Sequence, residues 1–405
     1  MSEGYAGNKG PKIKSDCHVT LKQQPSGGIK IQLKSKVEKL YGDQIKKVAT
    51  ATLNKLGVEH CEVLIEDSGA LDWVIAARIE AAVKQFSDTS ETYIPDLKPY
   101  NQYETSKERD RLSRLYLPGN NPKMMLNAGI HKPHGIILDL EDAVAPAKKH
   151  EARFVVRNAL CSANFYGAER MVRINQGEMG IEDLQYIVPH NVHLILIPKV
   201  EDPEYICRLD KEVQRLEARH QIEKPVYYMP IIESALGVEK AYEIATACRN
   251  IVALAIGLED YTADIGVKRT STAEESLYAR MRLVNAAKAA GIQPIDSVFS
   301  DVGDMEGLFE NVRKSKQLGF EGMGCIHPRQ IKVIHDGFAP EAKELEKSMK
   351  IVDAAIKAEA QGLGVVSLGS KMIDPPVVKR AQKNIDLAIY LGLLSENWRE
   401  EFSHE

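Results

Sequence analysis

Eight short apolar runs, Leu112–Leu117, Gly135–Leu140, Met171–Ile174, Leu194–Pro198, Tyr227–Ile232, Val252–Ile256, Pro294–Val298 and Met323–Ile326, are separated by segments of helical spacing. Ile206, Leu209, Val213 and Leu216 show that spacing, as do Leu277, Met281, Val284 and Ala287 ahead of Gly291. Near-continuous apolar strands alternating with amphipathic helices imply a parallel sheet covered by helices, so the fold class is α/β. Eight repeats are the number that closes a (β/α)8 TIM barrel, the reading preferred here. An open doubly wound sheet would alternate in the same way.

The flanks have different patterns. Residues 1–86 read as a small α+β domain. Cys17, Val19, Leu21, Ile29, Ile31 and Leu33 alternate around Pro25-Ser26-Gly27-Gly28, which predicts a β-hairpin. A helix carrying Val37, Leu40, Ile45, Val48 and Leu56 follows and ends at Gly57. The stretch Glu62–Ile75 reads as two strands around Ser68-Gly69, then a helix with Ile79, Ala82 and Val83. Residues 87–110 are polar, contain Pro95 and Pro99, and read as a linker. The barrel occupies 111–340. Residues 341–405 read as helices beyond the barrel's needs, a C-terminal lid or oligomerisation arm.

Charge excludes some functions. Lys and Arg total 53 against 57 Asp and Glu, a net charge of -4, so no global positive field favours nucleic acid. No run approaches the roughly 20 apolar residues of a membrane span, and a soluble cytoplasmic protein is expected. The six cysteines are scattered without a C-x-x-C pair, against a zinc cage or disulfide framework. His131 and His134 flank Pro133, which disfavours a helical ligand face. Gly362-Leu363-Gly364-Val365 follows a helix rather than a strand and is rejected as a dinucleotide loop.

Polar residues gather just past the strand ends, where barrel enzymes build their sites. These are Asp139, Glu141 and Asp142; Arg173 and Asn175; Lys199; Glu233; and Glu259, Asp260 and Asp264. Glu233 and Asp260 are the candidates for a hard divalent cation such as Mg2+, which needs few protein carboxylates. Arg173 offers a planar fork for a carboxylate. Asp139, Glu141 and Asp142 either orient the cation's waters or cap the next helix. Lys199 either contacts substrate or pairs with one of the carboxylates. His327, ahead of Pro328 and without a nucleophile evident nearby, reads as a structural hydrogen-bonding group.

The motifs Leu117-Pro118-Gly119, Leu138-Asp139-Leu140-Glu141-Asp142-Ala143-Val144, Val172-Arg173-Ile174-Asn175, Pro198-Lys199-Val200, Ile232-Glu233-Ser234-Ala235-Leu236-Gly237, Gly257-Leu258-Glu259-Asp260-Tyr261, Ile326-His327-Pro328 and Lys371-Met372-Ile373-Asp374 together resemble the citrate lyase beta subunit family. Ser35-Lys36-Val37-Glu38-Lys39 with Gly42-Asp43, and Gly69-Ala70-Leu71-Asp72, resemble the acyl carrier (gamma) subunit of citrate lyase. The resemblance implies Mg2+-dependent retro-Claisen cleavage of a 3-hydroxy-3-carboxyacyl thioester to an acyl thioester and a 2-keto acid. For citrate lyase these are acetyl-carrier and oxaloacetate. It implies Glu233 and Asp260 as Mg2+ ligands and Arg173 as the keto acid's anchor. Asp374 would be a lid aspartate that serves a neighbouring subunit's site, which makes a homo-oligomer the expected assembly. A citrate lyase alpha (transferase) subunit is a possible partner.

Carrier subunits of that kind bear phosphoribosyl-dephospho-coenzyme A on a serine. In this chain Lys14 occupies the matching slot, and Ser15, one position later, is the candidate attachment residue. The alternative is an unmodified module with free CoA thioesters as substrate. Citramalate, citramalyl-CoA or malyl-CoA lyase, or a thioesterase, remain open within the enzyme class, and a non-catalytic carrier or scaffold outside it.

Overall fold

The computed structural model describes residues 2–270, 272–360, 366–368 and 371–402. Contacts divide the chain into two compact units, Met1–Ile331 and Lys332–Glu405. Gly362-Leu363-Gly364-Val365 lies outside the described residues. Among those described, no helix is long and apolar enough to cross a membrane.

The first unit begins with a four-stranded sheet, β1 (Glu3–Gly7), β2 (Cys17–Gln23), β3 (Ile29–Ser35) and β4 (Cys61–Asp67), in the order β1-β2-β4-β3. Two helices cover it, α1 (Glu38–Lys55) and α2 (Asp72–Val83). The expected hairpin is corrected here. β2 and β3 do not pair; β4 lies between them, antiparallel to β2 and parallel to β3. Alternation sets which face of a strand is buried but says nothing about its partner, and Pro25–Gly28 serves as a crossover loop rather than a tight turn. The second pair of strands is one strand, since Asp72–Ile75 opens α2. β1 was not anticipated.

α2 is apolar almost all round, as a helix covered on every side must be. One side meets the small sheet, and the other packs on the barrel helix Lys149–Ser162. Its two charged residues inside this layer are matched. Arg78 donates to Asp16 at 3.0 and 2.9 Å and lies 3.4 Å from Glu151, while Glu80 accepts from Arg157 at 3.0 and 2.6 Å. The Gly7 N–H donates to Glu151 at 2.7 Å, and Asn158 donates to the Trp73 carbonyl at 3.0 Å. The segment after α2 is likewise fastened to the barrel wall: Asn101 is buried and donates to the Ala163 carbonyl, and the Tyr103 hydroxyl donates to that of Ala168.

Eight parallel strands then form the barrel: β5 (Ser113–Pro118), β6 (Gly135–Asp139), β7 (Glu169–Arg173), β8 (Leu194–Ile197), β9 (Tyr227–Ile232), β10 (Ala253–Ile256), β11 (Gln293–Ile295) and β12 (Met323–Cys325). β12 pairs with β5, and a bridge between Asp296 and Met323 closes the ring. Ile137, Met171, Leu196, Met229, Ile231 and Ala255 fill the lumen. Outer helices follow their sequence signals. In Pro203–His220, Asp202 caps the Glu204 N–H, Pro203 opens the helix, and Ile206, Leu209, Val213 and Leu216 form the buried stripe.

In the second unit, helices Ala342–Ala360 and Pro375–Tyr390 pack around Ile351, Val352, Ile373, Ala381, Ile385 and Trp398. The hairpin β13 (Val366–Leu368) and β14 (Lys371–Ile373) leads into the second of these helices.

Candidate active site

Side chains from the C-terminal ends of four barrel strands converge on a cavity of about 240 Å³ lined by Asp139, Arg173, Glu233 and Asp260, with Tyr116 and Arg114 deeper in the lumen. Asp139 ends β6, Arg173 ends β7, Glu233 follows β9, and Asp260 lies in the first turn of the helix Leu258–Asp264. A wider cleft of about 740 Å³ on the outer wall brings in one carboxylate, Glu104, and no acidic pair.

Arg173 donates to both oxygens of Asp139, through Nε at 2.7 Å and Nη2 at 2.6 Å, and its Nη1 lies 2.9 Å from Glu141. Its guanidinium also lies over the Tyr116 ring at 5.3 Å. Burial works against its charge, but Asp139 and then Glu141 outweigh that and hold it firmly protonated. Asp139 has a second duty: it accepts from the Glu141 and Ala143 N–H groups, which fixes the loop that carries Glu141 and Asp142. Gln176 donates to Glu141 at 2.6 Å.

Lys199 sits at φ 49°, a backbone conformation costly for a lysine. This turn aims its N–H at Glu233 Oε2, 2.9 Å away, and its ammonium at Asp260 (3.1 Å), Asp142 (3.7 Å) and Glu141 (3.9 Å). Burial opposes the lysine's charge, and the bond to Asp260 with the charge of Asp142 more than restores it. Gly257 is needed beside Glu233, since a Cβ there would stand 2.3 Å from Oε1. Burial first, then the charge of Glu141, pushes the Glu233 carboxyl up to about 7, while the Lys199 N–H pulls the other way.

Other expected residues lie elsewhere. Asp374 is exposed, in the second unit, as the N-cap before Pro375, and makes no capping side-chain bond. Ser15 is half-buried at φ 57°, with its N–H on the Ser68 carbonyl. His327 Nδ1 accepts from the Arg329 N–H. Among the described residues no group of three or more His, Cys, Asp or Glu side chains is placed to hold a metal ion. Sequence reasoning missed Arg114, Tyr116 and Gln176; the parity of β5, which puts 114 and 116 on one face, was the available signal for the first two.

The family model for HpcH/HpaI aldolase/citrate lyase matches residues 112–328, more than half of the chain. The chain belongs to the HpcH/HpaI aldolase/citrate lyase family. Residues 9–86 match the model for the malonate decarboxylase delta subunit, an acyl-carrier type of domain. The citrate lyase subunit beta of Haemophilus influenzae is 39% identical over 281 residues, 69% of this chain and 97% of the relative. The protein CitE of Mycobacterium tuberculosis in complex with magnesium, acetoacetate and coenzyme A superposes with a TM-score of 0.57 at 26% identity, covering 70% of this chain and 99% of that one. A citrate lyase beta subunit from the same organism, complexed with oxaloacetate and magnesium, gives 0.50 at 28% identity over 58% of this chain and 99% of that one.

The donor set here suits such an ion. Five carboxylates, Asp139, Glu141, Asp142, Glu233 and Asp260, face two cations, Arg173 and Lys199, in a partly buried space. Burial and then the neighbouring negative charge raise Glu233, and a divalent cation would relieve the second of these. Two carboxylates with the remaining positions left to water or substrate is a usual Mg2+ arrangement.

Proposed function

We propose that this protein is a Mg2+-dependent carbon–carbon lyase that cleaves a citryl-type 3-hydroxy-3-carboxyacyl thioester to an acyl thioester and a 2-keto acid. The observation that carries the reading is Glu233 and Asp260 in one cavity, short of positive charge, beside the half-buried Arg173. Glu233 and Asp260 would hold Mg2+. When bound, the ion supplies Lewis-acid polarisation of the substrate oxygen that becomes the keto carbonyl.

The rest is work for the chain's own residues. Asp139 takes Nε and Nη2 of Arg173, so the Nη1 group, now against Glu141, is the donor a substrate carboxylate would take. Lys199 offsets the crowding of acids and pairs with Asp260 at 3.1 Å. Asp374 would accept the C3 hydroxyl proton. The C2–C3 bond then breaks, C3 becomes a ketone, and the bond's electron pair passes to C2 as the thioester enolate; return of the proton from Asp374 to C2 gives the acyl thioester and restores the carboxylate. That role for Asp374 makes the 341–405 arm an oligomerisation element serving a neighbouring subunit.

The thioester is read as a free CoA ester. The carrier-like domain is clamped to the barrel through Arg78, Asp16 and Glu151 and through Arg157 and Glu80, which suits a structural domain better than a swinging arm, and no transferase partner is then required. Intact mass from the native host should equal the sequence mass; an increment on the Ser15 peptide would restore the tethered substrate. For the lyase itself, Glu233→Gln and Asp260→Asn should each lower Mg2+-dependent cleavage at least about 100-fold with circular dichroism unchanged. Turnover preserved in either variant would remove the metal assignment.

A further inference from the structure

Arg114 is a charge without a counter-charge. It is 1% exposed, on the lumen side of β5, and it lines the floor of the active-site cavity. Its Nη1 donates to Met229 Sδ at 2.9 Å, a weak acceptor, and its Nε has no hydrogen-bond partner. No carboxylate among the described residues lies within 4 Å of it. Of the other buried arginines, Arg78, Arg111, Arg157 and Arg280 each hold one, on Asp16, Glu169, Glu80 and Asp296, and Arg170, which holds none, donates instead to the oxygens of Asn191 and the Tyr103 carbonyl. An unpaired buried guanidinium is destabilising, and filling the barrel would not require one.

The barrel also keeps room for it. Its register neighbours on the two flanking strands are glycines, Gly135 on β6 and Gly324 on β12. A Cβ on Gly324 would stand 2.7 Å from Val298 Cγ1 and 3.7 Å from the Arg114 Nη2. Arg114 lies two residues, about 7 Å, below Tyr116 along the strand. Tyr116 stacks beneath Arg173. Arg173 and Arg114 therefore face one cavity from its mouth and its floor, with apolar Ile231 and Ala255 in the wall.

We propose that Arg114 binds the distal carboxylate of a dicarboxylic 2-keto acid, making the site selective for citryl thioesters, which yield oxaloacetate, over citramalyl thioesters, which carry a methyl there and yield pyruvate. This rests on the lyase reading above. A carboxylate at Arg114 would complete a charge-assisted pair in a dry setting, and a substrate lacking it would leave the guanidinium unpaired.

The test compares wild type with Arg114→Met, close in length and uncharged, and Arg114→Lys, which retains a cation if the methionine variant does not fold. The kcat/KM for citryl-CoA should fall at least about 100-fold more than that for citramalyl-CoA in Arg114→Met, with a smaller selective loss in Arg114→Lys. Equal losses on both esters, or none, would overturn the assignment. Binding of oxaloacetate and pyruvate in Mg2+ by calorimetry needs no turnover. Oxaloacetate preferred by wild type and selectively weakened in the variants supports the subsite even if no thioester is cleaved, which would count against the lyase reading alone. No preference in wild type would overturn the subsite even in an active lyase.

Discussion

Lys199 shows how much of the site depends on one backbone turn. Its left-handed φ sends the N–H to Glu233 and the ammonium to Asp260, so one residue restrains both proposed cation ligands. Lys199→Met should therefore tighten Mg2+ binding several-fold, because a competing positive charge leaves, while lowering turnover at least about 10-fold. Calorimetric titration with MgCl2 beside a keto-acid assay measures both; weaker binding in the variant would contradict this placement. Glu233, Asp260, Arg173 and Lys199 were legible in the sequence because each lies at or within a few residues of the end of an apolar run, where barrel strands deliver side chains to one face. Arg114 was not, because a lone charge within the run Leu112–Leu117 looks like a surface residue until closure of the barrel turns that face inward.

The eight barrel strands were readable one by one, since a strand buried on both sides announces itself as a continuous apolar run. The small domain was harder. There the partner of each strand is set by a chain reversal through α1, and no local pattern specifies that β4 inserts between β2 and β3. Its attachment to the barrel also escaped sequence reading, because Arg78, Glu80, Glu151 and Arg157 look like surface charges until α2 and the helix Lys149–Ser162 are packed face to face. Arg157→Ala would leave Glu80 buried without its bidentate partner, at a cost of about 3–5 kcal/mol. Urea denaturation should show this as a lower midpoint, and replacing both residues by apolar ones should recover most of the loss. An Arg157→Ala midpoint matching wild type would mean the contact is not maintained in solution.

At the scale of the whole molecule, acid should loosen the first unit through a histidine outside the active site. His193 is buried, with Nδ1 accepting from the Arg170 N–H at 3.2 Å, and burial followed by the Arg170 charge lowers it to about 3. The unfolded chain, with its histidine near 6.5, binds the extra proton between these values. Stability from this group is thus complete above about pH 6.5 and falls as pH drops toward 3, by up to about 1.4 kcal/mol per pH unit. His193→Asn should flatten that slope in denaturation midpoints measured from pH 7 to 4; an unchanged slope would contradict it. The central claim is the chemistry, and the most direct measurement is keto-acid release by the purified, unmutated protein from citryl-, citramalyl- and malyl-CoA, with Mg2+ and with chelator. Mg2+-dependent release, with oxaloacetate from citryl-CoA the dominant product, is the predicted result. No keto acid from any of the three with Mg2+ present, or release that persists in chelator, would contradict it.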